Sequence, residues 1–511
     1  MRVAIRVDAS QAIGTGHVRR CLALAHALRK SGAKLRFVTR SLGIDSVAMI
    51  ANEGFEGTAL LDPPGGVFTP DRAIPHAEWG QVSQARDVED TAHALGAFAP
   101  DWILVDSYAF GAGWHDGVRD RLGCRIAAID DLADRALDCE VVIDHTFAPD
   151  HRAKYAAVLP RNARLLGGPR FALLGPAYAD APRYEMRGEV GSIGVFMGGV
   201  DADDVSTRVL DALDLAGFSG PVEVVTTSAN PNLEALRKRV AERDRASLLV
   251  DLPDLSSFLA RHDLQVGAGG GASWERCCIG VPTLLVVVAR NQMSVAPLLA
   301  EAGIADIAPD PSPYALAEKL AALLVDEARR SDMAEKARRL VDGRGAERVA
   351  LALLADSLTV RAARVDDSSM LFEWRNHPST RAASSSSAPI VREEHEAWLA
   401  GVLPDPDREL YIGEIGRRAV GSVRFDFGDS DEAEVSLYLD PALHGCGLGP
   451  ALLLAGEAAA DPALIRATVL EANRPSQRLF EHCGYSRSGP TSFEKRRTAT
   501  LRRAHGGHPH A

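Results

Sequence analysis

Residues 12–20 read Ala12-Ile13-Gly14-Thr15-Gly16-His17-Val18-Arg19-Arg20. An apolar strand pattern from Val3 to Val7 precedes this stretch, and a helical pattern from Val18 to Leu28 follows it. The order predicts a glycine-rich turn from a strand into a helix, with a histidine at the helix entrance. An alternating β/α pattern continues from this turn, so the turn is our candidate active centre.

The three central residues of this turn have distinct chemical uses. Gly14 and Gly16 can adopt positive φ and leave the backbone bare, so a phosphate can approach the N–H groups that a helix start leaves unpaired. His17 would lie in the first helical turn, where the helix dipole disfavours imidazolium and keeps the ring neutral, as a general base requires. A sugar-nucleotide site is one interpretation. An ordinary βα turn with a capping or surface histidine is the other.

Length and composition indicate a multidomain enzyme of the cytoplasm. The chain has 511 residues, which suggests three units of about 150 residues each. The net charge of −12, with mixed signs throughout, argues against nucleic acid or an anionic membrane as a main partner. The seven cysteines show no Cys-x-x-Cys spacing, so neither a disulfide framework nor a zinc knuckle is expected. We also expect no secretory leader, because the first residues form a strand pattern without a charged-then-apolar segment, and no membrane span, because no apolar run approaches ~18 residues.

Residues 1–356 contain two similar α/β halves. In residues 1–182, short apolar runs alternate with amphipathic segments, which is typical of a doubly wound parallel sheet. A proline-containing connector, residues 167–188, leads into a second alternation over residues 183–356. The fold class predicted for both halves is α/β and Rossmann-like. Ligands of such sheets bind at the carboxyl ends of the strands, so His17 would lie on one lip of a cleft.

The second half has glycine turns of its own. Gly198 and Gly199 follow its first predicted strand, and the glycines of residues 267–271 follow another and open a helix. Ser273 and the bare amides of this second turn suit a diphosphate. Glu275 could accept hydrogen bonds from vicinal ribose hydroxyls, or it could be a solvated first-turn carboxylate that complements the helix dipole.

One further pair, Asn291-Gln292, follows the predicted strand Leu284–Val288. Its amides would point into the same cleft, where they could bind sugar hydroxyl or acetamido groups. The alternative for such a pair is turn chemistry.

Five ordered motifs resemble a known group of enzymes. They are Arg6-Val7-Asp8-Ala9-Ser10, residues 14–20, Met197-Gly198-Gly199-Val200-Asp201, Gly271-Ala272-Ser273-Trp274-Glu275 and Asn291-Gln292. Together, over about residues 1–350, they resemble the UDP-2,4-diacetamido-2,4,6-trideoxy-β-L-altropyranose hydrolases of pseudaminic acid biosynthesis, which are relatives of the GT-B glycosyltransferases.

The resemblance implies a role for each matching residue. His17 would activate water for attack on the anomeric carbon, with UDP leaving and the configuration inverting. Glu275 would contact the nucleotide, Asn291 the substrate, and Gly198 and Gly199 the phosphates, without a metal. Three residues at strand ends are weaker candidates for the same crevice: Asp8, Asp106 and Tyr108.

Residues 359–497 have a different pattern, with helices followed by alternating, antiparallel strands, which predicts an α+β unit. The turn Leu443-His444-Gly445-Cys446-Gly447-Leu448-Gly449-Pro450 follows a strand that ends near Leu439, and its amides can hold a pyrophosphate. With Asn473 and the residues up to Tyr485, this turn resembles the GNAT N-acetyltransferases, which bind acetyl-CoA.

In the GNAT family, the strand before the turn pairs with the pantetheine and the turn holds the CoA pyrophosphate. The resemblance therefore implies a set of cofactor-binding residues: Leu437, Leu439, Gly445, Gly447, Leu448, Gly449 and Asn473. Two departures stand out. His444 replaces the usual Arg or Gln at the head of the turn, and Phe480 replaces the tyrosine that protonates the thiolate in many members.

Taken together, the sequence predicts a bifunctional enzyme. The C-terminal unit would acetylate the C4 amine of a UDP-4-amino sugar, and the first two units would release UDP from the product. The alternatives are an inverting UDP-sugar glycosyltransferase with an appended acetyltransferase, a hydrolase of a related nonulosonate route, and a non-catalytic nucleotide-sugar sensor. Residues 498–511 are expected to be a disordered tail.

Overall fold

The computed structural model describes residues 1–61, 68–289, 292–293, 295–428 and 431–497. The chain divides into two compact units, one of residues 1–29 and 33–349, the other of residues 30–32 with those from 350 onward. The predicted domain boundaries at 182/183 and 356/359 stay a prediction, and the predicted tail 498–511 lies outside the described residues.

The first sheet of the first unit is parallel throughout. Its strands are β1 (Arg2–Val7), β2 (Ala9–Ser10), β3 (Lys34–Leu42), β4 (Gly57–Leu60), β5 (Trp102–Asp106), β6 (Arg125–Ile129), β7 (Val141–Asp144) and β8 (Arg164–Gly167). They lie in the order β4-β3-β1-β5-β6-β7-β8, with β2 beside the end of β3. Its helices are α1 (Gly16–Lys30), α2 (Ser46–Asn52), α3 (Gln84–Leu95), α4 (Ala112–Leu122) and α5 (His151–Tyr155).

The second sheet repeats this plan. Its strands are β9 (Ile193–Phe196), β10 (Val222–Thr226), β11 (Ala246–Val250), β12 (Leu264–Ala268), β13 (Thr283–Val286) and β14 (Asp306–Ala308). They are parallel, in the order β11-β10-β9-β12-β13-β14. Its helices are α6 (Val205–Leu215), α7 (Leu233–Ala241), α8 (Ser256–Arg261), α9 (Gly271–Ile279), α10 (Ala296–Glu301), α11 (Pro313–Val325), α12 (Glu327–Leu340) and α13 (Gly345–Leu353).

The apolar strand runs form these sheets because helices cover both faces. All five residues of β5 are buried, and Ile103 and Val105 pack in one core cluster with Trp114 and Val118 of α4. The strand order reverses between β1 and β5 in the first sheet and between β9 and β12 in the second. Such switch points leave a crevice at the carboxyl ends of the strands, where α/β proteins bind ligands. The predicted pair of Rossmann-like sheets is confirmed.

The second unit is built on a mixed sheet. Its strands are β15 (Thr359–Ala362), β16 (Arg408–Ile415), β17 (Arg418–Phe427), β18 (Glu432–Leu439), β19 (Leu464–Thr468), β20 (Ser486–Arg487) and β21 (Ser492–Arg496). They lie in the order β15-β16-β17-β18-β19-β21-β20, and β18–β19 is the parallel pair among antiparallel ones. Its helices are α14 (Ser368–Asn376), α15 (Pro378–Ala382), α16 (Arg392–Val402), α17 (Gly449–Ala460) and α18 (Arg474–His482). The predicted α+β class is confirmed.

Helix α17 packs closely on β16 and β17 because glycines lie at the contacts, Gly413 in β16 and Gly456 in the helix itself. A Cβ added at Gly413 would lie 2.4 Å from the Leu452 side chain, and one added at Gly456 would lie 2.6 Å from Val423. These contacts fix the start of α17, which follows the glycine turn, relative to the sheet. Among the described residues, no helix is both long and apolar enough to cross a membrane.

Candidate functional site

The turn after β1 has the predicted strand–turn–helix form. The Gly14 amide donates to the Ser10 carbonyl at 2.7 Å, and Gly14 has a φ of +76°, in the left-handed region that favours glycine. A Cβ added at Gly14 or Gly16 would meet no atom within 4 Å, so the space above both residues is open. A ligand can therefore approach the turn. His17 lies in the first turn of α1, with 9% of its surface exposed.

The His17 ring is held by Asp106, the last residue of β5 on the other side of the switch point. His17 Nδ1 lies 2.6 Å from Asp106 Oδ1, and Arg20 Nε and Nη2 each donate to the same carboxylate at 2.6 Å. Asp106 is fully buried, which opposes ionisation, but the charge of Arg20 and the hydrogen bonds from Arg20 and His17 hold the pKa of its carboxyl far below the usual range.

These contacts assign the tautomer of His17. Asp106 is ionised, so it can only accept, and Nδ1 therefore carries the proton and donates to it. Arg20 Nη2 also lies 3.2 Å from Nδ1, but its shorter bond goes to the carboxylate. This leaves Nε2 of His17 as the nitrogen that can accept a proton.

Tyr108 completes the enclosure of His17. The two rings meet edge to face, with centroids 4.9 Å apart and an interplanar angle of 78°. The Tyr108 hydroxyl donates to Asp131, and burial raises the pKa of Tyr108 well above its ordinary value. The imidazole of His17 is thus held by Asp106 at Nδ1 and by the ring of a neutral tyrosine. The structure brings His17, Asp106 and Tyr108 together.

Asp8 belongs to a separate buried cluster. Its carboxylate accepts from the Arg6 guanidinium and, at 2.7 Å, from the backbone N–H of Arg40. Arg6 and Arg40 both also bind Asp87. With only 3% of its surface exposed, Asp8 ties β1 to β3, and the two arginines tie both strands to α3 through Asp87. Its substrate contact stays a prediction.

The glycine turn after β9 lies at the switch point of the second sheet. Gly198 has a φ of +97°, and the Thr227 hydroxyl donates to the Gly199 carbonyl at 2.7 Å. The Asp201 carboxylate accepts the Val205 and Ser206 amides at 2.9 Å each, which caps α6. Two half-exposed glycines are thus presented at the strand end.

The turn between β12 and α9 is fixed from within. The Ser273 hydroxyl accepts from the Gly270 amide and from Arg276 Nη2, each at 3.2 Å, and Ser273 is buried. Its lone pairs therefore serve the turn, and its diphosphate contact stays a prediction. Gln292 Oε1 accepts the Val288 amide at 3.0 Å, and the Gln292 side chain lies about 3.4 Å from a Cβ placed on Gly269. Asn291 lies outside the described residues.

Glu275 connects the two halves of the first unit electrostatically. Burial raises the pKa of its carboxyl, while the positive charges of Arg276 and Arg19 act in the opposite direction. Arg19 belongs to α1 and Glu275 to α9, so the helix that carries His17 comes close to the helix of the second glycine turn.

In the second unit, β18 and β19 separate along their length. They pair from Glu432 ↔ Leu464 to Glu434 ↔ Arg466, and the register records no further pair among the described residues. Within the described residues, the later part of β18, with Leu437 and Leu439, pairs with β17 alone. Its other edge can therefore take an extended ligand by strand addition.

The turn before α17 needs its glycines. Gly445 and Gly447 have φ values of +76° and +72°, while Leu448 between the last two glycines is buried. A Cβ added at Gly449 would lie 3.2 Å from Leu479. The turn thus leads bare amides to the start of a helix of 12 residues.

Asn473, just before α18, and Phe480, within it, both have structural partners. Asn473 Oδ1 accepts the Ser476 amide at 3.2 Å, and its Nδ2 donates to the Ala383 carbonyl at 3.3 Å. Phe480 packs against Tyr485 and Phe493 with 3% of its surface exposed. The cofactor contact of Asn473 stays a prediction.

Sequence reasoning gave no role to several polar residues beside His17. Arg20 lies one helical turn after His17, Asp131 follows β6 and His145 follows β7. Asp131 and His145 could have been found by their position after strands of a parallel sheet, where ligands bind. That rule was used only for β1, β5 and the second half of the first unit.

In the described part of the chain, no group of three or more His, Cys, Asp or Glu side chains is arranged to hold a metal ion.

Two buried histidines predict an acid-sensitive first unit. Burial lowers the pKa of His115 to about 3 and that of His145 to about 4. Below about pH 6.5 the unfolded chain therefore binds more protons than the folded one. The contribution of the two histidines to the free energy of unfolding is complete above this pH and falls as the pH decreases towards the pKa values of the folded protein. Near pH 5, each histidine should lower the free energy of unfolding by about 2 kcal/mol. Urea unfolding at about pH 7.5 and pH 5 measures the loss.

Substitution separates this effect from general acid unfolding. His115→Gln cannot titrate, so it should reduce the loss between the two pH values, whereas the same change at the exposed His93 should not. Equal losses in the wild type and in His115→Gln would contradict the assignment.

Comparisons with known proteins bear on both units. Residues 369–485 match the model of the acetyltransferase (GNAT) family. The spore coat polysaccharide biosynthesis protein SpsG of Bacillus subtilis is 24% identical over 365 residues, covering 70% of this chain and 98% of that protein. The UDP-2,4-diacetamido-2,4,6-trideoxy-beta-L-altropyranose hydrolase of Campylobacter jejuni is 20% identical over 303 residues, covering 59% of this chain and 97% of that protein.

A solved structure of MurG from Acinetobacter baumannii has a TM-score of 0.49 and 16% sequence identity, covering 68% of this chain and 98% of that one. The match to the Campylobacter jejuni enzyme makes the chain a distant homologue of a UDP-sugar hydrolase, and the family model places a GNAT region at residues 369–485, as the sequence motifs indicated.

Proposed function

We propose that this chain is a bifunctional nucleotide-sugar enzyme. Its first unit hydrolyses a UDP-2,4-diacetamido-2,4,6-trideoxyhexose of the altrose type to UDP and the free sugar. Its second unit uses acetyl-CoA to acetylate the C4 amine of the precursor. The observation that carries the hydrolase is the His17–Asp106 contact of 2.6 Å at the switch point of the first sheet.

The geometry supports a direct displacement by water. His17 Nε2 takes a proton from a water molecule whose oxygen attacks the anomeric carbon, and the bond from that carbon to the UDP oxygen breaks with inversion. The proton stays on His17, where the Asp106 carboxylate stabilises the imidazolium. UDP leaves with its charge held by amides of the glycine turns after β9 and β12.

The second unit supports acetyl transfer. The free edge of β18 suits the amide groups of a pantetheine, and the turn from Gly445 to Gly449 suits a pyrophosphate. The attacking amine forms the new C–N bond as the bond from the carbonyl carbon to sulfur breaks. Because Phe480 lies in an aromatic core, the proton for the CoA thiolate comes from water or from the amine itself.

An NMR time course tests this function. The wild-type chain is incubated with acetyl-CoA and each of a panel of UDP-4-amino sugars of altrose and glucose type. We expect CoA, UDP and a free diacetamido sugar of inverted anomeric configuration, without any added acceptor. UDP release that requires an acceptor would identify a glycosyltransferase instead, and binding without products would identify a sensor.

Replacing the residue that orients His17 should slow the reaction without weakening binding. In Asp106→Asn, the amide can present an N–H to Nδ1 and so favours the wrong tautomer. We expect kcat for UDP release to fall by about 10²–10³-fold, with KM changed by less than about threefold. Steady-state UDP assays measure both constants.

Asp138→Asn is the matched control, because this carboxylate pairs with Arg119 at 2.9 Å and is partly exposed. It should keep the wild-type kcat. A wild-type kcat in Asp106→Asn would show that the carboxylate does not orient the base.

A further inference from the structure

His145 lies at the same edge of the first sheet as His17. His145 directly follows β7. The neighbouring strand β6 ends two residues before Asp131, and the next strand, β5, ends at Asp106. Since parallel strands end on one side of a sheet, these residues face one region. The electrostatics agree, because the charges of Arg20, Asp131, Asp144 and Asp106 all act on the His145 imidazole.

The neighbouring carboxylates are already engaged with other donors. Asp144 accepts from Lys154 Nζ at 2.7 Å and from the Thr146 hydroxyl at 2.6 Å. Asp131 accepts from Tyr108, and Asp106 accepts from His17 and Arg20. No described residue forms a hydrogen bond with His145 Nδ1, although the side chain is buried with only 6% of its surface exposed.

A buried imidazole nitrogen without a partner is unfavourable in the ligand-free protein. Burial lowers the pKa of His145 to about 4, so the ring is neutral near pH 7 and offers one donor and one acceptor. Around His145, the carboxylates of Asp106, Asp131 and Asp144 outnumber the cations of Arg20 and Lys154, so the position has no positive excess to favour a phosphate. A neutral polar group, such as a sugar hydroxyl or an acetamido group, is the partner that a neutral imidazole can bind there.

We propose that His145 contacts the sugar ring of the nucleotide-sugar substrate through a hydrogen bond. This inference rests on the proposed function, since it assumes that the first unit binds a UDP-sugar at His17. It places the sugar over the ends of β5, β6 and β7, beside His17. The diphosphate then lies towards the glycine turns of the second half. His145 contributes to sugar recognition, whereas His17 performs the chemistry.

Three substitutions and two ligands test the contact. His145→Phe removes both ring nitrogens, His145→Asn keeps a polar atom near the place of Nδ1, and His145→Gln keeps one near that of Nε2. Binding of UDP-2,4-diacetamido-2,4,6-trideoxy-β-L-altropyranose, the UDP-sugar of this test, and of UDP alone is measured by calorimetry in the His17→Ala background, so that the sugar is not consumed. We expect His145→Phe to weaken UDP-sugar binding by about tenfold to a hundredfold and UDP binding by less than about twofold.

One of the two amide variants should restore most of the affinity for the UDP-sugar, which identifies the nitrogen involved. His115→Asn is the matched control, because His115 is a buried neutral histidine that accepts the Asp138 amide at 3.1 Å, and it should change neither affinity. Equal losses for UDP and UDP-sugar, or no loss for either, would overturn the proposal.

Failure of the contact is distinguishable from failure of the proposed function. If the wild type releases no UDP from any UDP-sugar, the hydrolase proposal fails, while the calorimetric comparison still reports on His145. If His145→Phe does not fold, hydrogen exchange of residues 141–150 in the His17→Ala protein gives the answer. Greater protection with UDP-sugar than with UDP supports the contact, and equal protection overturns it.

Discussion

His17→Ala is expected to lower kcat for UDP release by at least about 10³-fold while acetyl transfer continues at the wild-type rate. The alanine variant has no group that can take the proton of the attacking water, and Asp106 cannot replace it because Arg20 holds it as a buried, weakly basic carboxylate. A coupled assay for UDP and a thiol assay for CoA follow the two reactions in one sample.

The control for this variant is His26→Ala on the same helix. His26 pairs with Glu53 at 2.9 Å and is not part of the enclosure of His17. It should keep both activities. Retained UDP release in His17→Ala, at unchanged protein stability, would show that the base is another residue.

The sequence could predict those parts of the fold that depend on local patterns. The run from Val3 to His17 specifies a strand, a turn and a helix through apolar spacing and two glycines, and the structure has this form. The β/α alternation predicted both parallel sheets, because a crossover through a helix makes successive strands parallel. The rule that ligands bind at strand ends then placed His17 at an edge without knowledge of any contact.

The electrostatic setting of His17 could not be predicted, because it depends on distant parts of the chain. Asp106 lies 89 positions from His17 in sequence, and Tyr108 meets Asp131 across two strand ends. Alternating patterns give the sheet but not the rotamer of each polar side chain. The same reason explains Asp8 and Ser273, whose side chains turn to backbone amides and buried arginines.

In the second unit, too, local features could be predicted and long-range contacts could not. Its turn could be located from its glycines, because the positive φ values of Gly445 and Gly447 at the helix entrance favour glycine. The separation of β18 from β19 could not be derived from strand patterning, because it depends on where their pairing stops.

Gly447→Val is expected to reduce acetyl transfer by at least about 10²-fold and to leave hydrolysis of the acetylated UDP-sugar unchanged. Gly447 has a φ of +72°, where a β-branched residue is strained, so the turn must change shape and its amides no longer converge. The first unit contains none of these residues, so UDP release should persist. Gly401→Val is the control, because Gly401 is exposed in α16 and an added Cβ meets no atom within 4 Å.

The two variants together reveal whether the intermediate leaves the protein. His17→Ala is expected to make the acetylated UDP-sugar but not to hydrolyse it. Gly447→Val is expected to hydrolyse the acetylated UDP-sugar but not to make it. If the intermediate diffuses freely, an equal mixture should release UDP from the amino sugar at about half the wild-type rate per chain, since half of each kind of site is active. Much slower release from the mixture, with each separate activity intact, would show that the intermediate passes between the units without mixing with solvent. Acetylation that persists in Gly447→Val would instead exclude the turn as the pyrophosphate site.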